Sequence, residues 1–155
     1  MEKIIVYVND AAHALQTLTP MCQPADGAAQ ARGQTLWIVV ACAPRLTRHI
    51  SRWLTHSARQ QWREKWSAKL FADLTPLLSG PGGQMKTFTA DGSLVEMTDR
   101  LLKTHGVARV LDARLALVGQ DMLPVTREQP ISAENRWVLP SAMVGMGTIL
   151  ALAAD

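Results

Sequence analysis

The sequence has only two cysteines in 155 residues, Cys22 and Cys42, and their spacing matches no metal-binding motif. Two isolated cysteines favour free thiols in a reducing compartment over a disulfide. The first residues lead directly into an apolar strand pattern, without the charged region and apolar core of a secretory signal. We therefore expect a cytoplasmic protein that contains no metal.

Motifs of the common enzyme and nucleotide-binding classes are also absent. The chain has no Gly-x-Ser-x-Gly elbow, no phosphate-binding loop ending in Gly-Lys-Ser/Thr, and no dinucleotide fingerprint after its first strand. His49 and His56 lie two helical turns apart with no cysteine or carboxylate at ligand spacing, which disfavours a metal site. These absences disfavour an enzyme, and we identify no catalytic residue.

Hydrophobic residues make up 48% of the sequence and charged residues 19%, a balance typical of a globular chain. The length predicts a single domain, 1–155. The stretch 137–154 has no charge and approaches the length of a membrane span, but proline and glycine interrupt it and no basic cluster flanks it. It fits a short strand at 137–139 and a buried terminal strand at 148–153 better. A helix from Ser141 is the open alternative.

The segment 84–115 predicts a strand, a turn, a helix and a second strand. The run 84–90 alternates in the manner of a strand, and Asp91-Gly92 ends it. Ser93 and Glu96 have the spacing of a capping box at a helix start, and Gly106 follows the last turn as a helix stop. The strand formers of 107–111 come next, so the segment predicts a βαβ unit with parallel strands.

The rest of the chain also predicts strands that alternate with helices. Apolar runs predict strands at 3–8 and 35–41, and a helix at 11–18 that ends near Pro20. A long helix is expected at 47–78, with Thr47 as its N-cap and a bend near 59–63, where its apolar face rotates.

A basic segment lies within that long helix. Residues 45–69 carry a net charge of +6, against +3 for the whole chain, and four arginines share one helical face: Arg48, Arg52, Arg59 and Arg63. Such a face suits either an anionic partner or simple solvation. Because no Tyr or Phe is interleaved and no nucleic-acid motif is present, we favour the solvated face. We accordingly expect neither nucleic acid nor a membrane as a partner.

Asn9 and Asp10 follow the first strand directly. In an open α/β sheet, ligands bind at the carboxyl ends of the strands, so these side chains are candidates for a ligand site. Asp10 also suits the N-cap of the next helix. We favour the cap and keep the ligand site as the alternative.

Taken together, four stretches resemble the universal stress protein domain: IIVYVND, LWIVVACA, the long helix, and MKTFTADGSLVEMTDRLLKTHGVARVLDARL. The resemblance covers roughly 1–118 and is strongest at 89–93 and 106–111. It implies a doubly wound α/β three-layer sandwich with a mostly parallel sheet of about five strands. It also implies a role in stress response and a homodimer formed through the C-terminal strand, 148–154.

ATP-binding members of that family carry an Asp after the first strand, and after the fourth strand a series of glycines ending in Gly-Ser or Gly-Thr. Asn9 or Asp10 aligns with the Asp, but Asp112 and Leu115 replace the first two glycines. The resemblance therefore implies a regulatory or interaction module without the standard phosphate-binding loop, in which ATP or AMP binding is disfavoured. The alternative is a nucleotide or small-anion binder at the strand ends, with these candidate residues: Asn9, Asp10, Ala41, Asp112, Arg114 and Arg127.

Overall fold

The computed structural model describes residues 2–22, 34–44, 48–80, 82–116, 123–127 and 137–138, without the side chains of residues 48, 51, 137 and 138. The terminal strand expected at 148–153 and the alternative helix from Ser141 lie outside these ranges. So does Thr47, the expected N-cap of the long helix.

One sheet contains all the described strands, which are β1 (Glu2–Val8), β2 (Thr35–Ala41), β3 (Gly83–Thr89), β4 (Arg109–Asp112) and β5 (Trp137–Val138). Their spatial order is β3-β2-β1-β4-β5. The first four strands are parallel, whereas β5 is antiparallel to β4. The interior positions of β1 and β2 are buried, as the continuous apolar runs predict for strands covered on both faces. The mostly parallel sheet of five strands is thus confirmed.

Four helices connect the parallel strands: α1 (Ala11–Cys22), α2 (Arg48–Ser51), α3 (His56–Leu78) and α4 (Leu94–His105). The chain steps in one direction from β1 to β3 and then returns past both strands to β4. Consistent with that reversal, α1 and α3 pack on one face of the sheet and α4 on the other. The protein is a doubly wound α/β sandwich of the Rossmann-like class, and the strand order reverses between β1 and β4.

The first helix is longer than expected, because α1 continues through Pro20 to Cys22. Proline removes one backbone donor, and its ring disturbs the turn before it. Pro20 lies in the last turn of α1, so the helix ends two residues beyond the turn that the proline disturbs. Pro76 lies in the last turn of α3 in the same way.

The expectation of a single long helix at 47–78 is wrong, because the structure has two helices there. Residues 52–55 separate α2 from α3, so the chain breaks before the bend expected at 59–63. Thr55 is the N-cap of α3, and its hydroxyl accepts a hydrogen bond from the backbone N–H of Ala58 at 3.1 Å. A second cap lets the helix restart in a new direction, since the free N–H groups of its first turn gain an acceptor.

The helix predicted between β3 and β4 is confirmed together with its caps. The Ser93 hydroxyl accepts from the backbone N–H of Glu96 at 3.4 Å. Gly106 has a φ of +80°, which a residue with a Cβ rarely adopts, and its N–H donates to the Leu102 carbonyl at 2.9 Å. The parallel strands β3 and β4 are not neighbours, because β2 and β1 lie between them.

The two faces of the sheet differ in chemistry. The face under α1 and α3 is packed with aliphatic side chains and Trp37. The face under α4 is apolar toward the start of the strands, but near their carboxyl ends it includes the buried polar residues Tyr7, Thr98, Asp112 and Arg114. The polar side of the core therefore lies at the edge where the strand order reverses.

Candidate functional site

The carboxyl ends of β1 and β4 form the reversal point of this sheet. β1 pairs with β2 on one side and with β4 on the other, and Tyr7 lies opposite Asp112 in the register. Ligands of open α/β sheets bind in the crevice at such a point. The predicted residues Asn9, Asp112 and Arg114 lie at or just beyond these two strand ends.

The Asn9 side chain binds the backbone of the segment that follows β4. Its Nδ2 donates to the Leu115 carbonyl at 2.9 Å, and its Oδ1 accepts from the Leu115 N–H at 2.6 Å. Both polar atoms of the amide are thus engaged by one residue 106 positions away in the sequence. Asn9 joins the end of β1 to the chain beyond β4, across the crevice.

Asp112 and Arg114 form a buried two-point ion pair. The Arg114 Nε donates to Asp112 Oδ1 at 2.8 Å and its Nη2 to Oδ2 at 2.9 Å, with side-chain exposures of 7% and 1%. Burial alone would lower the pKa of Arg114, but the hydrogen bond and charge of Asp112 raise it above its ordinary value. Arg114 therefore balances the negative charge that Asp112 would otherwise present to a phosphate.

A short segment, residues 123–127, lies over this pair, and we call it the strap. The Leu123 carbonyl accepts from Arg114 Nη2 at 2.6 Å. Val125 is fully buried in the core under α4, and its carbonyl accepts from the Thr98 hydroxyl at 2.6 Å. Arg127 Nη2 contacts Asp99 Oδ2 at 3.1 Å. The side chains of Arg114, Thr98 and Asp99 thus each bind one residue of the strap.

Two further groups at this edge are absent from the sequence-based prediction. The Tyr7 hydroxyl hydrogen-bonds the Thr98 hydroxyl, and burial raises the Tyr7 pKa well above its ordinary value. Burial likewise raises the pKa of the Cys42 thiol, just beyond β2, to about 12. Tyr7 was read as one residue of an apolar strand. The available signal was that Tyr7 is the one residue with a polar group among the five buried positions of β1.

The remaining predicted site residues lie at three separate places. Asp10 caps α1, since its Oδ2 accepts from the His13 N–H at 2.8 Å. Ala41 ends β2 fully buried, and its carbonyl accepts from the Ala90 N–H at 2.8 Å. Arg127 pairs with α4 at the far end of the strap. The structure therefore brings Asn9, Asp112 and Arg114 together, while Asp10 has the capping role.

The basic residues do not form one helical face, because the break at 52–55 divides them. Arg48 belongs to α2, Arg52 lies exposed in the break, and Arg59 and Arg63 belong to α3. Arg63 lies 3.7 Å from the exposed carboxylate of Asp91. The expectation of a continuous stripe is thus wrong, although the segment remains strongly basic.

Within the described part of the chain, no group of three or more His, Cys, Asp or Glu side chains is placed to hold a metal ion. None of the helices there is long and apolar enough to cross a membrane. Cys22 and Cys42 are not joined by a disulfide.

The fold and this edge define the class of protein, a Rossmann-like α/β sandwich whose reversal point is occupied by its own side chains. No protein-family model, curated protein or solved structure matches the chain.

Proposed function

We propose that this chain is a non-catalytic regulatory or interaction module with a universal stress protein-like fold, in which the usual ligand edge is closed. The observation that carries this proposal is the pair of hydrogen bonds between the Asn9 side chain and the Leu115 backbone. They hold the segment after β4 against the end of β1, where a ligand of this fold class would enter.

The internal hydrogen bonds of the segment after β4 also support the absence of the family's phosphate site. A triphosphate needs several backbone N–H groups that approach closely, and glycine makes that approach possible. Asp112 and Leu115 stand at the glycine positions. The N–H of Leu115 already donates to Asn9, and the N–H of Arg114 donates to Asp112 Oδ1 at 3.2 Å. A phosphate would therefore have to displace two internal acceptors.

The chemistry of the edge supports a role without catalysis. A nucleophilic Tyr or Cys needs its anionic form near neutral pH. Burial raises the pKa of Tyr7 and of Cys42, the latter to about 12, so both groups are held in their protonated forms. Arg114, the buried cation, is already bound by a carboxylate and a carbonyl.

Isothermal titration with Mg-ATP and with AMP tests the closed edge directly. We expect no saturable heat up to high micromolar nucleotide, and no nucleotide mass in native mass spectra of freshly purified protein. A dissociation constant below about 10 μM that Asn9→Ala abolishes would instead establish the alternative, a nucleotide or small-anion binder. Lys103→Gln is the matched control, because Lys103 is an exposed cation on α4 and is not one of the candidate ligand residues.

Assembly and location follow the resemblance. We propose a homodimer through 148–154, outside the described residues, because two sheet edges that pair satisfy each other's backbone groups. Light scattering that shows a monomer at high micromolar concentration would count against the dimer. So would a dimer that survives truncation after Gly147. Two cysteines that form no disulfide with each other suit a cytoplasmic location.

A further inference from the structure

The junction between α2 and α3 exposes two large apolar side chains. Trp53 has 86% of its surface accessible and Ile50 has 52%, and the two are joined by a hydrogen bond from the Trp53 N–H to the Ile50 carbonyl at 3.2 Å. Large indole side chains are usually at least half covered in a folded protein. We define the junction as residues 48–56. We call Ile50 and Trp53 its apolar tip.

Cations surround this tip without intervening acidic residues. The sequence from 48 to 63 contains four arginines and two histidines and no Asp or Glu. Arg52 is next to Trp53 and exposed, and His49 and His56 are exposed on either side. Asp91 balances part of the charge of Arg63 from another element, whereas Arg52 is exposed and Arg59 is partly exposed. The local field is therefore positive around the apolar tip.

We propose that the junction docks on a membrane surface that contains anionic phospholipids. Trp53 and Ile50 enter the headgroup region, and the arginines bind lipid phosphates. Tryptophan favours that region because its ring is apolar and its N–H is polar. Arginine side chains place an apolar stem along the same boundary and keep the charge at the phosphates. This is a surface contact, distinct from a membrane span, and it does not depend on the closed edge.

The geometry favours lipid over the other anionic partners. Single-stranded nucleic acid binds through successive aromatic platforms, and Trp53 is the one large exposed aromatic side chain among the described residues. A protein partner would need a pocket that matches an exposed indole, whereas a bilayer interface deforms around it. The exposure of Trp53 cannot be read from the sequence, which is why the basic segment alone favoured a solvated face.

Flotation of the full-length protein with vesicles tests this proposal. Vesicles of phosphatidylcholine alone are compared with vesicles in which about one-third of the lipid is phosphatidylglycerol, at about 0.05 M and about 0.5 M salt. We expect binding to the anionic vesicles that weakens at high salt. Trp53→Ser should reduce the partition coefficient by about tenfold or more. Each of Arg52→Gln and Arg59→Gln should reduce it by about fivefold.

Matched controls lie elsewhere on the surface. Val107→Ser removes an apolar side chain after α4 that is 64% exposed, and Lys103→Gln removes an exposed cation on α4. Both should bind as the parent does, and thermal melts should show all variants folded. Vesicle binding unchanged by Trp53→Ser would overturn the proposal, since the uncharged stretch 137–154 would then be the contact. Absence of vesicle binding would also overturn it, as would Trp53-dependent binding to single-stranded DNA alone.

Discussion

Arg114 and the arginines of the α2–α3 junction are the same chemical group in opposite environments. Arg114 is buried, makes two hydrogen bonds to Asp112 and a third to the Leu123 carbonyl. Arg52 lies exposed beside Trp53 in a stretch without acidic residues. In the sequence, both were candidates for an anionic ligand. In the structure, Asp112 balances the charge of Arg114, whereas Arg52 has no ion pair among the described residues.

The difference shows what an arginine contributes in each place. A buried guanidinium loses its hydration, and only a partner that is equally fixed compensates for that loss. Arg114 therefore serves the fold, and its removal should be felt as instability. An exposed arginine keeps its hydration, so it adds little to stability and much to the local potential. Changing each kind of residue should separate the two roles.

The largest effect is expected for Arg114→Met. The change leaves the Asp112 carboxylate buried without its cation and should lower the free energy of unfolding by about 3–5 kcal/mol. Urea denaturation monitored by circular dichroism measures it. Asp112→Leu combined with Arg114→Met should recover at least half of the loss, because no charge then remains buried. A single change that costs under about 1 kcal/mol would show that the pair is solvated in solution.

A truncation of an apolar side chain on the other face of the sheet, under α3, gives a loss of unfolding free energy with which that result can be compared. Leu74 of α3 is fully buried against the apolar core, so Leu74→Ala should cost about 3 kcal/mol through lost burial and a residual cavity. Leu77→Ala, one helix turn from the core centre and half-buried, is the control and should cost less. If Leu74→Ala were nearly neutral, the packing of α3 on the sheet would be looser than the structure shows.

Much of the fold could be predicted from the sequence, because the sequence patterns that indicate it are local. The β-branched runs of β1 and β2, the cap at Ser93 and the stop at Gly106 are each contained within one element. The break before α3 was missed although its cap, Thr55, is equally local. Thr47 offered a competing start, and the apolar pattern continues across the break.

Only part of the candidate site could be predicted from the sequence, because its main contacts join residues that are distant in sequence. Asn9 and Leu115 are 106 residues apart, and no pattern predicts that one amide will bind that backbone. The pairing of Asp112 with Arg114 was accessible in principle. Residues two apart in an extended chain point to the same side, and opposite charges there attract. The prediction instead treated Asp112 as a replacement for a phosphate-loop glycine and Arg114 as a separate candidate ligand residue.

A smaller effect is expected at the hydroxyl pair under α4. Tyr7→Phe removes the donor to the Thr98 hydroxyl and should cost about 1 kcal/mol at neutral pH. Burial raises the Tyr7 pKa above its ordinary 10.0, so the folded state favours the protonated phenol. That stabilisation is complete below pH 10 and is lost as the pH rises above it.

Urea titrations at rising pH check the sign. The parent should lose stability above pH 10, and Tyr7→Phe should flatten part of that loss. Cys42, whose pKa burial raises from 9.0 to about 12, contributes in the same direction from pH 9 upward, so Cys42→Ala is the companion variant. An equally steep alkaline loss in the double variant would place its origin elsewhere.

The smallest effect on stability is expected where the effect on binding is largest. Replacing Arg48, Arg52, Arg59 and Arg63 together with Gln removes one long ion pair among the described side chains, that of Arg63 with Asp91 at 3.7 Å. Exposed pairs contribute about 0–1 kcal/mol, and the Arg59 Nε is buried without a hydrogen-bond partner among the described residues. The unfolding free energy should therefore change by less than about 1 kcal/mol, while binding to anionic vesicles disappears. A loss above about 2 kcal/mol would mean that one of these arginines serves the fold as Arg114 does.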